Sequence, residues 1–171
     1  ELNDNFLGDL VKKWEMESRK FEEIGIKTSI LRIGVVLSKD GGMLKKLFPL
    51  FLIGLGVPIG SGKQILSWVH IDDMIAIIFK CINEKIYGIF NVVAPEKINN
   101  KKFTKLLSKR VSYIRLPLFI NAPKFLVRIL FGEQSTLVLN GLNVSSKKIE
   151  KTGYIFKFPK MDGALMNLYN K

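Results

Sequence analysis

The spacing of apolar residues changes within the first third of the chain. Over residues 7–24, apolar side chains recur every three to four positions, which predicts one face of a helix that ends at Gly25. Opposite charges four positions apart, among them Glu15 and Arg19, are predicted on the outside of this helix. Residues 28–37 then form a nearly continuous apolar run rich in β-branched residues, which predicts a buried strand of a parallel sheet.

Helical and extended patterns alternate through the rest of the chain. They predict helices over 43–52, 72–83, 99–109, 123–131, 135–142, 146–152 and 161–169, and extended segments over 65–71, 87–93, 111–116 and 154–158. Strands that alternate with helices are typical of an α/β fold, whereas the segments after residue 97 are mainly helical. The sequence therefore predicts an α/β domain over 1–96 and a smaller helix-rich domain over 97–171.

Composition narrows the class of protein. Hydrophobic residues make up 47% of the 171 residues, the balance of a soluble globular protein. The single cysteine, Cys81, lies in an apolar run, which predicts a buried structural thiol and suits the reducing cytoplasm. The longest apolar run, 47–59, contains prolines and glycines and is too short to cross a membrane. The net charge of +12 comes mostly from scattered lysines, which predicts a solvated surface with no nucleic-acid or membrane partner.

Two segments carry candidate chemistry. The glycine-rich stretch 54–62 follows a predicted helix and precedes a predicted strand, the reverse of a dinucleotide fingerprint, so taken alone it predicts a turn-forming loop. His70 is the only histidine, which rules out most histidine-based metal sites and predicts no metal. His70 and Asp73 could form a proton-relay pair. The alternative is a structural histidine, with Asp72 or Asp73 capping the helix that follows.

Four blocks of the sequence together resemble the epimerase-family proteins of the atypical extended short-chain dehydrogenase/reductase superfamily. The blocks are Arg32–Leu37 with Asp40–Gly42, Gly54–Gln64 with Ser67–Asp73, Phe90–Pro95, and Gly132–Glu133 through Gly153–Phe156. This resemblance implies the C-terminal part of a Rossmann-like NAD(P)-binding domain followed by a small helix-rich domain. It also implies that the strand–glycine–helix motif for the pyrophosphate lies upstream of Glu1, so that the isolated chain is inactive.

The resemblance implies two sets of site residues. The cofactor, NADP or NAD, would lie against Arg32, Ile33, Gly34 and Val35, and the substrate pocket would contain Gly60, Ser61, Gln64, Trp68 and His70. The catalytic Tyr-x-x-x-Lys pair of the family would fall near Phe6 and Leu10, which have no titratable group. Leu66 stands where sugar-nucleotide epimerases carry a diphosphate-binding arginine. The active site is therefore expected to be non-standard.

Three functions remain open at this point. The first is an NAD(P)-dependent epimerase/dehydratase-like oxidoreductase that acts on an unidentified small molecule, with a homo-oligomer as one possible assembly. The second is a non-catalytic NADP(H)-binding protein that senses the cofactor or scaffolds a partner. The third is a basic nucleic-acid module, which would bind DNA or RNA in a salt-sensitive manner. Exposed apolar surface beside the strand at 30–37 also predicts self-association of the isolated chain.

Overall fold

The computed structural model describes residues 6–112, residue 122 and residues 141–169, with side chains from Gly8 onward. The helices are α1 (Phe6–Glu23), α2 (Gly42–Leu52), α3 (Ile71–Asn83), α4 (Asn100–Val111), α5 (Lys147–Glu150) and α6 (Met161–Leu168). The strands are β1 (Ser29–Ile33), β2 (Val35–Leu37), β3 (Ile65–Leu66), β4 (Trp68–His70), β5 (Gly88–Val92) and β6 (Ile98–Asn99). The predicted helices over 123–131 and 135–140 lie outside the described residues.

Parallel pairing dominates the strands. β1 pairs with β5 in parallel from Ser29–Gly88 to Ile33–Val92, and β2 pairs with β4 in parallel over three residues. β3 and β6 form a short antiparallel ladder. Parallel strands need helical crossovers, and α2 and α3 lie in the connections from β2 to β3 and from β4 to β5. The α/β class predicted from the sequence is confirmed.

The strand predicted over 28–37 is divided at Gly34. The Gly34 amide donates to the Val92 carbonyl on β5 at 3.1 Å, whereas the next amide, of Val35, donates to the Ser67 carbonyl at 2.8 Å. A Cβ at position 34 would lie 2.7 Å from both the Ser67 oxygen and Val93 Cγ1. The chain therefore changes strand partners at a position that has room only for glycine.

Two hydrophobic clusters form the core. The larger one joins α2, α4 and α6 to the strands, and its fully buried members include Leu37, Leu44, Trp68, Met161 and Leu165. This cluster extends to both sides of residue 97, and the division into domains 1–96 and 97–171 stays a prediction. The smaller cluster contains Cys81, which confirms the buried thiol, and burial raises its pKa.

Helix α1 corrects one expectation about its faces. Glu15, predicted on the outside, is buried, whereas the Trp14 and Ile24 side chains on the predicted apolar face are 63% and 72% exposed. Only one side of α1 contacts β1 in the described part of the chain, so much of its apolar surface lacks a covering layer there. None of the helices among the described residues is long and apolar enough to span a bilayer.

Hydrogen bonds join the segment 154–158 to the start of α3. Residues 154–158, predicted to be extended, join no strand ladder in the described part of the chain. Instead the buried Asp73 carboxylate accepts hydrogen bonds from the Tyr154 hydroxyl at 2.7 Å and from the amides of Lys157 and Phe158 at 2.8 and 2.9 Å. Gly141 and Leu142 lie in a loop, not in the predicted helix over 135–142.

Candidate functional site

A cavity of about 640 Å³ lies beside β1, within the size range of small-molecule sites. One wall is α1, another is the strand pair β1–β5, and the loop at 142–144 closes a third side. The lining residues come from these three elements and from the approach to β4. They are Val11, Trp14, Glu15, Ser18, Ile30, Leu31, Arg32, Ile33, Gly34, Val35, Ser67, Asn91, Val93, Leu142 and Val144.

The cavity lies where the paired parallel strands β1 and β5 end. Arg32 to Val35 contribute the end of β1 and the start of β2, and Asn91 and Val93 contribute the end of β5. Ligands of open α/β sheets bind in crevices outside the carboxyl ends of the strands. All four residues predicted to lie against the cofactor therefore line one cavity at the expected edge of the sheet.

Glu15 and Arg32 form a two-point ion pair in the cavity wall. The Arg32 Nε and Nη2 atoms donate to the two Glu15 carboxylate oxygens at 2.6 and 2.7 Å. The Glu15 side chain is 10% exposed and the Arg32 side chain 32% exposed. The hydrogen bonds from Arg32 lower the pKa of Glu15, and the same bonds raise the pKa of Arg32. The sequence pattern did not predict this contact, because it paired Glu15 with Arg19, the opposite charge four positions along the same helix.

Ser67 and Asn91 fix the loop that closes the cavity. The Ser67 hydroxyl donates to the Leu142 carbonyl and accepts from the Val144 amide. The Asn91 side-chain amide donates to the Ser145 carbonyl at 3.3 Å. Neither residue was predicted as part of a site. The available signal was a polar residue inside a predicted extended segment that is otherwise largely apolar, since Ser67 lies within 65–71 and Asn91 within 87–93.

Two of the predicted substrate residues lie in the core, away from this cavity. Trp68 is fully buried, and its indole Nε1 donates to the Glu96 carbonyl at 3.2 Å. His70 is 1% exposed, and its ring packs on Phe158 with 4.0 Å between ring centroids. The Trp68 indole nitrogen and the His70 Nδ1 atom thus bond to backbone groups, and neither side chain lines the cavity.

The other three predicted substrate residues lie in the glycine-rich loop. The Gln64 side chain donates to the Ile59 carbonyl at 2.9 Å, and the Gly60 amide donates to the Ala122 carbonyl at 3.0 Å. Asn100 accepts from the Ile59 amide at 2.7 Å. Ser61 is exposed at the tip of this loop. Internal hydrogen bonds hold the loop, as expected of a turn-forming segment, and Gly60, Ser61 and Gln64 lie outside the cavity.

His70 has a structural role at the start of α3. Its Nδ1 accepts from the Asp72 amide at 3.1 Å, so the imidazole caps the helix. The predicted capping by Asp72 or Asp73 is therefore wrong, because Asp73 is turned toward the segment 154–158. No hydrogen bond of a His70–Asp73 relay is formed in the described part of the chain, because the Asp73 carboxylate accepts from Tyr154, Lys157 and Phe158. Burial lowers the pKa of His70, and burial together with the Asp73 carboxylate raises the pKa of Tyr154.

The described residues contain no cluster of three histidine, cysteine, aspartate or glutamate side chains that could hold a metal ion.

Known proteins are similar to this chain over nearly its whole length. The family model described as a domain of unknown function (DUF1731) matches residues 122–168. An epimerase family protein of Staphylococcus saprophyticus is 37% identical, with 96% of this chain and 54% of the relative covered. The crystal structure of human epimerase family protein SDR39U1 (isoform 2) with NADPH matches with a TM-score of 0.86 at 30% identity, covering 99% of this chain and 57% of that chain. The chain belongs to this epimerase family.

Membership confirms the resemblance stated from the sequence blocks. The UDP-glucose 4-epimerase of Thermus thermophilus, in a complex with NAD, shares the fold with a TM-score of 0.60 at 16% identity, over 95% of this chain and 51% of that chain. The fold is therefore Rossmann-like. The chain spans about half the length of the curated epimerase family relatives it matches, and corresponds to their C-terminal part.

Proposed function

We propose that this chain is the C-terminal part of an NADP(H)- or NAD(H)-binding, epimerase-like oxidoreductase, and that the nicotinamide end of the cofactor occupies the cavity beside β1. The observation that carries the proposal is the position of Arg32, Ile33, Gly34 and Val35, which all line that cavity. The human relative that holds NADPH gives further support, since its structure matches 99% of this chain.

The lining of the cavity indicates what its residues would contribute to cofactor binding. The apolar side chains of Val11, Ile33 and Val93 would pack against a flat ring and exclude water from it. When bound, the nicotinamide would supply or accept a hydride. The glycine-rich pyrophosphate motif is expected in the remainder of the whole protein, so this chain alone would bind the cofactor weakly.

The chemistry of the lining also supports a second candidate. Among the lining residues in the described ranges, the ionisable side chains are Glu15 and Arg32, and their contact moves the pKa of each away from neutrality. Neither would transfer a proton at neutral pH, so catalysis would need a donor from elsewhere in the protein. A non-catalytic NADP(H)-binding sensor or scaffold has no such requirement.

Fluorescence of the whole protein tests cofactor binding. Trp14 lines the cavity and is largely exposed, so excitation of this residue should be transferred to a reduced nicotinamide bound nearby. Titration with NADPH or NADH is expected to produce sensitised nicotinamide emission that falls sharply in a Trp14→Phe variant. Trp68 is buried in the core and serves as the internal reference. Saturable binding with no energy transfer from Trp14 would place the nicotinamide elsewhere.

Turnover separates the two candidates once binding is established. Oxidation of bound NADPH in the presence of a panel of aldehydes and ketones would support the oxidoreductase. Cofactor-dependent change in affinity for a partner protein, without turnover of any member of the panel, would support the sensor.

A further inference from the structure

The cavity carries no net charge. In the described part of the chain, Glu15 and Arg32 are the two lining residues with charged side chains, and they neutralise each other. Because each carboxylate oxygen already accepts from one guanidinium nitrogen, the carboxylate occupies the Nε–Nη2 side of Arg32, one of the two sides by which a guanidinium binds a phosphate or carboxylate through two hydrogen bonds.

This neutrality holds over the ordinary pH range. The hydrogen bonds from Arg32 lower the pKa of Glu15, and the hydrogen bonds to Glu15 raise the pKa of Arg32, so both groups stay ionised around neutral pH. An anionic ligand would have to displace Glu15 from its partner, or bind the remaining Arg32 donors against the negative charge of the adjacent Glu15 carboxylate. An uncharged ligand meets neither cost.

The remaining polar side chains are few and each already makes at least one hydrogen bond; the Ser18 hydroxyl donates to the Trp14 carbonyl at 2.9 Å. The Ser67 hydroxyl bonds to the loop at Leu142 and Val144, and the Asn91 amide bonds to Ser145. The rest of the wall is predominantly apolar, with one aromatic side chain at Trp14. Such a surface gains binding free energy mainly by burying apolar area.

We propose that the substrate side of this cavity selects small, uncharged, mainly apolar compounds over anionic ones, and that Glu15 determines this selectivity by occupying Arg32. The inference rests on the proposed function in taking the substrate side to be the part of the cavity that the nicotinamide leaves free. It departs from the diphosphate-bearing substrates that an arginine-based site would favour.

The test uses two probes of similar shape and different charge. Binding of methyl 4-formylbenzoate, which is neutral, and of 4-formylbenzoate, which is anionic, is measured by quenching of Trp14 and by calorimetry on the whole protein without cofactor. The wild type is expected to bind the neutral probe at least about tenfold more tightly. Glu15→Gln removes the negative charge while keeping the shape, and should reduce or invert that ratio.

A double variant supplies the matched control. Glu15→Gln with Arg32→Met makes the wall neutral again without the ion pair, and should restore the preference for the neutral probe. Arg32→Met alone leaves Glu15 without its cation and should weaken binding of the anionic probe further. A purely structural role for Glu15 would change both affinities together and leave their ratio unmoved.

Three results would overturn the inference. They are equal affinity of the wild type for both probes, no binding of either probe, or an unchanged ratio in a folded Glu15→Gln protein. The separate NADPH titration reports on the proposed function. If the protein does not bind NADPH but keeps the expected ratio of affinities for the two probes, only the proposed function is refuted. If it binds NADPH but shows no preference between the probes, only this inference is refuted.

Discussion

The carboxylate of Glu15 on α1 faces the guanidinium of Arg32 on β1 through two parallel hydrogen bonds of 2.6 and 2.7 Å. This pair connects a helix whose apolar side is largely exposed to a strand at the end of which the cavity opens. It therefore contributes both to the attachment of α1 and to the electrostatics of the site.

Removal of the Glu15 side chain should destabilise the protein. Glu15→Ala leaves Arg32 without a partner in a partly buried position, and we expect the free energy of unfolding to fall by about 1–3 kcal/mol, less than for a fully buried pair because Arg32 is one-third exposed. Urea denaturation measures the loss. The control is Glu17→Ala, since the exposed Glu17–Lys20 pair should contribute less than about 0.5 kcal/mol. Equal losses in the two variants would contradict this account.

Asp73 should be the costliest carboxylate to alter among those that join α3 to the C-terminal segment. Asp73→Asn cannot accept all three hydrogen bonds, and we expect a loss of about 3 kcal/mol in the free energy of unfolding. Tyr154→Phe removes one of these bonds and should cost about 1 kcal/mol. Thermal and urea unfolding measure both changes. Asp72, which is more exposed, is the control, and a larger effect of Asp72→Asn would refute the assignment.

His70 should make stability depend on pH just below neutrality. Burial is the main cause of its lowered pKa, so the unfolded chain binds a proton more readily than the folded protein. Its contribution to stability is complete above a pH of about 6.5 and is lost as the pH falls through the lower native pKa. The slope should be visible in urea unfolding between about pH 7 and pH 5.5, a range in which no other side chain with an unperturbed pKa titrates.

The variant His70→Asn isolates this effect. Asparagine keeps an acceptor that can cap α3, although it leaves part of the ring volume empty. Its stability should be lower at neutral pH but nearly constant across that range. Because the sequence has a single histidine, a slope retained by this variant would have to come from another group and would rule out His70 as the cause.

Substitution of Gly34 should disturb the change of strand partner. In Gly34→Ala the new Cβ would lie 2.7 Å from the Ser67 backbone oxygen, and a backbone atom cannot move away cheaply. We expect a loss of about 2 kcal/mol in the free energy of unfolding, together with weaker NADPH binding by the whole protein. Gly163→Ala is the matched control. No atom lies within 4 Å of its added Cβ, and alanine in α6 should stabilise the protein by about 0.5–1 kcal/mol.

Local patterns in the sequence predicted most helices and strands, because these patterns report which side of an element is apolar. The strand over 28–37 was predicted as one unit, since sequence shows that Gly34 is small but not that two strands meet there. Glu15 was assigned to Arg19 because spacing along one helix is visible in sequence, whereas the position of Arg32 across the fold is not. The prediction that the residues from Arg32 to Val35 lie against the cofactor came from the family resemblance, and not from the pattern of apolar positions.

The predicted substrate residues show the limit of motif reading. Trp68 and His70 were placed on the substrate side by the family resemblance, whereas the local pattern at His70 favoured a structural role. The Trp68 indole nitrogen and the His70 Nδ1 atom bond to backbone groups of Glu96 and Asp72 inside the core. Whether a polar atom meets protein or ligand depends on long-range packing, which a single sequence does not contain.

The bonds to Asp73 also set an order of events during synthesis. Its three partners lie 81, 84 and 85 residues farther along the chain, so they leave the ribosome after α3 has been made. At translation rates of about 5–20 residues per second, roughly 4–17 seconds pass between the synthesis of Asp73 and the synthesis of these partners. The start of α3 is thus completed only when residues 154–158 have been made, and premature termination before Tyr154 would leave the Asp73 carboxylate without these three hydrogen bonds.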